Sequence, residues 1–245
     1  MKIWCLHGAM QTSSVWDGFD GKFCISGKPA LLQKVNLYRE ISTSLVQWAQ
    51  DFCLTVSKES AAEKPFLLGY SLGGRLAMHA YLNAPDMWRG MIIVSADPGA
   101  SSNEQKKQLL KKDLLWSERF QCEDLKSLLE EWDGAAVFCK RLNQAPRILD
   151  QLDPQKISKL LSVYSKGGQQ DLMTLLHLKG KAPMLFLSGE EDSKYSEIGK
   201  RLQRCCPQLS HGIIRDAGHR VPWENTKGFI SAVNLFLDST MDGQK

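Results

Sequence analysis

The chain reads as an α/β fold, a mostly parallel sheet covered by helices on both faces and interrupted by an inserted helical cap. Three observations predict it: short apolar runs that alternate with amphipathic stretches, a Gly-x-Ser-x-Gly turn between one such run and the next helix, and a long block of purely helical character in the middle of the sequence. With 245 residues, 43% of them hydrophobic and 24% charged, the composition is that of one globular unit able to bury a large core. Collagen-like, disordered and disulfide-framework classes are excluded.

Ile3 to His7 is an apolar run stopped by Gly8, a buried strand leading into a loop through Ser14. A weaker strand signal follows at Leu32 to Leu37. Between Ser42 and Val56, Leu45, Trp48, Ala49, Phe52 and Val56 fall on one face of an amphipathic helix. Phe66 to Gly69 is a second clear strand, Leu72 to Leu82 a helix, and Met91 to Ser95 a third strand ending in the turn Asp97-Pro98-Gly99. From 101 to 180 the chain is rich in Lys, Glu, Gln and Leu at helical spacing. We expect a cap there, inserted into a core made of 1–100 and 181–245. Strands resume at Met184 to Leu187 and Gly212 to Ile214, and Ser231 to Leu237 closes the chain as a helix.

The net charge of +4 is mild and gives no reason to expect nucleic acid, whereas an anionic small molecule is compatible with it. The longest apolar runs are far shorter than the roughly 20 residues of a membrane span, and the N-terminal run is too short for a secretory signal. Seven cysteines, an odd number with no Cys-x-x-Cys pair, fit reduced thiols in a cytoplasmic protein and argue against a metal site. The oligomeric state is not encoded in any of these features.

Gly69-Tyr70-Ser71-Leu72-Gly73 places a serine on a tight strand-to-helix turn. A nucleophilic or basic serine needs an imidazole, and the imidazole needs a carboxylate that fixes its tautomer. Asp192 and His219 follow in that order, each just past an expected strand end, where the active sites of open parallel sheets assemble. Leu6-His7-Gly8-Ala9 supplies a second loop, so the N–H groups of Ala9 and Leu72 are the expected oxyanion hole, each such donor being worth about 3 kcal/mol of barrier. Glu190 and Glu191 are alternative acids, and His7 is read as a structural residue that holds the Ala9 loop. The run Lys106, Lys107, Lys111 and Lys112 is read as a solvated helix face.

With this order of elements the chain resembles the α/β-hydrolases. Within them it resembles the 2-succinyl-6-hydroxy-2,4-cyclohexadiene-1-carboxylate synthase (MenH) family of menaquinone biosynthesis. The resemblance is carried by Gly69-Tyr70-Ser71-Leu72-Gly73-Gly74-Arg75, by Ser188-Gly189-Glu190-Glu191-Asp192-Ser193-Lys194-Tyr195, and by Glu131-Trp132 with Val137-Phe138. It implies a lyase that eliminates pyruvate from a polycarboxylate cyclohexene, with Ser71, activated by His219 and Asp192, acting as the base. It implies no metal or organic cofactor. Tyr70, Arg75, Trp132 and Tyr164 are the expected substrate-binding residues, Arg75 because a guanidinium grips a carboxylate with two hydrogen bonds. Tyr164 stands where the family has a second cap arginine, with Lys166 close by, and Arg220 stands where the family often has Asn. The alternative within the same fold is a serine carboxylesterase or thioesterase working through an acyl-enzyme.

Overall fold

The computed structural model describes residues 1–60, 63–100 and 102–242. Its main sheet has six strands, all parallel, in the order β4-β1-β5-β6-β7-β8. These are β1 (Lys2–Leu6), β4 (Leu31–Val35), β5 (Phe66–Tyr70), β6 (Gly90–Val94), β7 (Met184–Gly189) and β8 (Leu209–Ile214). A small antiparallel hairpin, β2 (Cys24–Ile25) and β3 (Lys28–Pro29), precedes β4. The helices of the first half are α1 (Leu45–Glu59) and α2 (Leu72–Asn83). Between β6 and β7 run α3 (Asn103–Cys122), α4 (Leu125–Asp133), α5 (Pro154–Val163) and α6 (Met173–Lys179). Ser101, the first residue of the expected insertion, lies outside the described residues. The chain ends with α7 (Ser193–Cys205), α8 (Val221–Glu224) and α9 (Thr226–Asp242).

The two-residue period of each strand sorts its side chains between two cores. Trp4, Leu6, Leu67, Met91, Ile93, Met184 and Phe186 face one side, where α1, α2 and α7 pack. Ile3, Cys5, Phe66, Leu68, Ile92, Val94, Leu185 and Leu187 face the other, against Trp16, Phe19 and the Phe229, Val233 and Leu237 stripe of α9. Burial on both faces explains why β5 and β6 read as unbroken apolar runs. The strand register also aligns the carboxyl ends. Leu6 pairs with Gly69 and Val35, Tyr70 with Val94, Val94 with Leu187, and Gly189 with Ile214.

Several elements depart from the sequence reading. The second strand stops at Val35, because the Asn36 side chain accepts from the Tyr38 N–H and turns the chain. The hairpin at Ser26-Gly27 was not foreseen, although both residues have positive φ (49° and 73°), the geometry of a tight two-residue turn. Helix α7 was also missed. Asp192 caps it by accepting from the Tyr195 N–H, and Tyr195, Ile198 and Leu202 form its buried stripe. Helix α9 begins at Thr226, five residues earlier than expected, because the Asn225 side chain accepts from the Gly228 N–H at 2.9 Å. None of the described helices is long and apolar enough to cross a membrane.

His79 of α2 is buried and its Nε2 has no hydrogen-bond partner among the described residues. Burial pushes its pKa down from 6.5 to about 4. Between those values the unfolded chain binds a proton that the native imidazole refuses, so stability is complete above pH 6.5 and is lost as pH falls toward 4. His79→Leu removes that dependence. From pH 7 to pH 4.5, the native chain should lose about 2–3 kcal/mol more stability than the variant in denaturant melts; parallel losses would refute this.

Candidate active site

Ser71 follows the last residue of β5 and caps α2 with φ 52° and ψ −110°, a strained conformation held by its N–H donating to Val94 O at 2.8 Å. The strain presents Oγ beyond the carboxyl edge of the sheet. It is possible only because helix and strands approach without side chains between them. A Cβ at Gly69 would stand 2.3 Å from Gly73 O, and one at Gly73 would stand 2.3 Å from Leu6 O.

His219 and Asp192 arrive from the ends of β8 and β7. His219 Nδ1 lies 2.8 Å from Asp192 Oδ2, and Nε2 lies 3.3 Å from Ser71 Oγ. A carboxylate can only accept, so Nδ1 carries the proton and Nε2 is left to accept from the serine hydroxyl. Asp192 is 3% exposed and His219 2%. The second oxygen of Asp192 accepts from the Tyr195 N–H at 3.3 Å, which fixes the carboxylate plane, and Tyr195, Tyr70 and Phe138 pack around the imidazole with centroids 4.6, 5.6 and 5.7 Å away. The loop before His219 is held by Glu224, whose carboxylate accepts from the Gly218 N–H at 2.5 Å. Glu190 accepts from the Asp216 N–H and Glu191 pairs with Arg141, so both alternative acids are engaged away from the imidazole.

The loop after β1 is pinned at two points. His7 Nδ1 lies 2.8 Å from Gly8 O and its Nε2 accepts from the Leu37 N–H at 3.1 Å, and burial lowers its pKa to about 4, so the ring is neutral. The Gly8 N–H is taken by Gln11 Oε1. Among the described residues the N–H groups of Ala9 and Leu72 donate to nothing in the protein, and both residues line the cavity with Ser71.

That cavity has a volume of about 590 Å³ and lies between the sheet edge and helices α3 to α5. One part is polar. Arg75 donates to Gln169 Oε1 at 2.9 Å and to Tyr164 O at 2.6 Å, both neutral acceptors, and forms no ion pair among the described residues; Asp113 and Asp97 act on it only at longer range. Lys166 pairs with Asp97 at 2.5 Å, and Lys112 and Lys194 complete this end. The other part is apolar, with Leu109, Val137, Phe138, Leu160, Leu161 and the edge-to-face pair Trp116 and Trp132, 5.2 Å between centroids.

Of the residues expected from sequence, Ser71, Asp192, His219, Ala9, Leu72, Arg75, Trp132 and Tyr164 border or support this one cavity. Tyr164 lines the cavity, but its hydroxyl accepts from the Ser42 N–H and its carbonyl from Arg75. Tyr70 sits lower. It lines a small adjoining recess, and its ring fills the space a Cβ on Gly8 would need, 2.7 Å away. Lys112, expected on a solvated face, borders the cavity. Asp97, Asp113, Trp116, Lys194, Arg147 and Arg220 had not been assigned to the site. For Asp97 a signal existed, an acid immediately after a strand's carboxyl end. Among the described residues no group of three or more His, Cys, Asp or Glu could hold a metal ion.

No protein-family model matches the chain. Proteins named 2-succinyl-6-hydroxy-2,4-cyclohexadiene-1-carboxylate synthase from Salmonella arizonae and Salmonella newport are 29% identical to it over 178 residues, 71% of this chain and 68% of theirs. Among solved structures, MenH from S. aureus superposes with a TM-score of 0.86 at 19% identity, covering 98% of this chain and 94% of that one. A thermophilic esterase from Thermogutta terrifontis, with malate bound, gives 0.70 at 19% identity, over 98% and 90%. The chain therefore has the α/β-hydrolase fold and resembles MenH.

Because the Gly73 approach is to backbone, which cannot step aside, Gly73→Ala should cost about 3 kcal/mol and lower Tm by roughly 6–12 °C. Gly168→Ala, at a position with nothing within 4 Å, should leave Tm unchanged. Equal melting of the two variants would contradict the packing described.

Proposed function

We propose that the chain is a MenH-like lyase in which Ser71, His219 and Asp192 form the catalytic triad and Ser71 acts as the base. His219 Nε2 takes the hydroxyl proton, and Asp192 stabilises the imidazolium that forms. The serine oxygen removes a proton from a ring carbon of the substrate, the C–H electrons form the ring double bond, and a C–O bond breaks. The departing oxygen leaves with its electron pair as the enolate of pyruvate, its C=O forms as the enolate's terminal carbon takes a proton, and the fragment is released as pyruvate. The N–H groups of Ala9 and Leu72 stabilise the negative charge that develops on oxygen. No redox partner is required by this balance. Residues 101–180 act as the cap over a core of 1–100 and 181–245, and the substrate is a small anion.

The observation that carries the reading is Arg75, a partly buried guanidinium in the same cavity as Ser71 with two neutral acceptors and, among the described residues, no ion pair. A cation partly withdrawn from water in this way is better satisfied by an anion, whose hydrogen bonds to it are charge-assisted on both sides. The curated relatives are named for a product bearing a carboxylate and a succinyl group, a chemistry that matches such a seat. A second reading, a carboxylesterase or thioesterase with Ser71 as nucleophile, is favoured by the apolar wall around Trp116 and Trp132, suited to an acyl chain.

Pyruvate release from freshly generated pathway precursor, coupled to lactate dehydrogenase, decides between them. The native chain should release pyruvate, Ser71→Ala should not, and Asp192→Asn should be slower by about 10⁴-fold, the effect of a misplaced tautomer in comparable triads. No release, together with Ser71-dependent cleavage of short acyl esters, would establish the esterase instead. Arg75→Ala should lower kcat/KM for the anionic substrate by about 100-fold, the loss of a charge-assisted bidentate contact, while leaving hydrolysis of any neutral ester nearly unaffected. Equal losses on both would remove the anion-gripping role.

A further inference from the structure

Beside the main cavity lies a recess of about 20 Å³, room for a single oxygen atom with its hydrogens, lined by Ala9, Gln11, Tyr70, Ser71, Trp132, Phe138, Arg147 and Arg220. Arg220 is 3% exposed. Its NH2 donates to Asp133 Oδ1 at 2.5 Å and its guanidinium carbon lies 3.5 Å from the Phe138 ring centre, but its NH1 is buried with no partner among the described residues. Asp133 is already engaged by Arg147, which donates to both of its oxygens at 2.7 and 3.0 Å. One carboxylate thus serves two guanidinium groups directly. The next carboxylate, Glu224, accepts from the Gly218 N–H and lies 3.4 Å from Arg141, which also pairs with Glu191; it makes no ion pair with Arg220 or Arg147 among the described residues, and its charge acts on Arg220 only at longer range.

Ser71, Ala9, Trp132 and Phe138 line both the recess and the main cavity, whereas Arg75 lines only the cavity and Arg220 and Arg147 only the recess. We infer that Arg220 and Arg147 form a second anion subsite, so that the site takes a small dianion with one carboxylate on either side of Ser71. One carboxylate oxygen enters the recess and accepts from the unpartnered Arg220 N–H, and the other carboxylate seats on Arg75. An anionic oxygen is preferred over water there because it adds a charge–charge attraction to the hydrogen bond that either would accept from the guanidinium. The inference deepens the function proposed above and rests on it for the placement of Ser71 at the reacting centre.

The test is binding without turnover. Dissociation constants of malonate, succinate, glutarate and adipate are measured by ligand-observed NMR against the monocarboxylates of equal chain length. In the native chain the best dicarboxylate should bind about tenfold more tightly than its monocarboxylate. Arg220→Met and Arg75→Met should each reduce that advantage to less than twofold. Arg220→Met leaves Asp133 with both Arg147 hydrogen bonds, so no buried charge is orphaned. Asp133→Asn frees both guanidinium groups from their competitor and should tighten dicarboxylate binding several-fold, an effect that a purely structural ion pair would not produce. No dicarboxylate advantage in the native chain, an advantage retained in Arg220→Met, or unchanged binding in Asp133→Asn overturns the subsite. If Arg220→Met fails to fold, Asp133→Asn still decides. Ser71→Ala should keep the full preference, which separates binding from turnover; an absence of pyruvate release by the native chain, with its dicarboxylate preference intact, would count against the lyase reading and leave the subsite standing.

Discussion

The geometry around Ser71 depends on one constraint, the absence of side chains where the first turn of α2 crosses β5 and β1. With Gly69 and Gly73 the helix starts immediately at the strand end, and Ser71 takes its positive φ in the space this creates. Leu72, whose N–H has no acceptor among the described residues, lines the cavity at the positive end of the helix dipole. The other groups are brought to the same place by register alone. Parallel strands of matched length end at one edge, so the loops after β1, β7 and β8 need only a few residues each to reach the serine.

Electrostatics sets the character of the cavity more than its shape does. Lys166 pairs with Asp97 and Glu131 with Arg119, whereas Arg75, Lys112 and Lys194 on the cavity wall form no ion pair among the described residues. Of the guanidinium groups, Arg75 has only neutral acceptors and Arg220 shares a carboxylate with a neighbour. Their partners come from distant parts of the chain: Gln169 and Tyr164 for Arg75, Asp133 for Arg220. A change of substrate within this scaffold is therefore to be sought in the residues that hold the arginines, as much as in the arginines themselves.

The parallel sheet was legible in the sequence because double-sided burial leaves unbroken apolar runs, and Ser71 and Asp192 were legible because each follows such a run, whereas His219 follows the mixed, half-exposed edge strand β8 and was found from its Gly-His turn and its place after Asp192. Elements whose signal is polar were harder to read. Helix α7 begins at Asp192, a residue whose cap role was masked by its placement beside His219, and α9 begins at a side-chain cap on Asn225 rather than at an apolar periodicity. Arg220 was noticed only as a departure from the family pattern. Its meaning lies in a contact with Asp133, 87 residues away, which no local spacing encodes. Trp116 was missed for a related reason: its partner Trp132 lies on the next helix, and the pair exists only once α3 and α4 fold back on each other.

The core on the α1 and α2 side of the sheet does not end where the sheet's own helices end. Phe120, Leu128, Leu129, Ile157, Leu160, Leu172 and Leu176 belong to the same continuous cluster as Trp48, Leu76 and Phe186. The segment between β6 and β7 is thus joined to its scaffold by shared hydrocarbon and lacks an interior of its own. Recombination that exchanged this segment between relatives would have to carry matching halves of one interior, which makes it a poor interchangeable module. New specificities in such a protein are more accessible by point substitution at the cavity wall than by transplanting the helices that roof it.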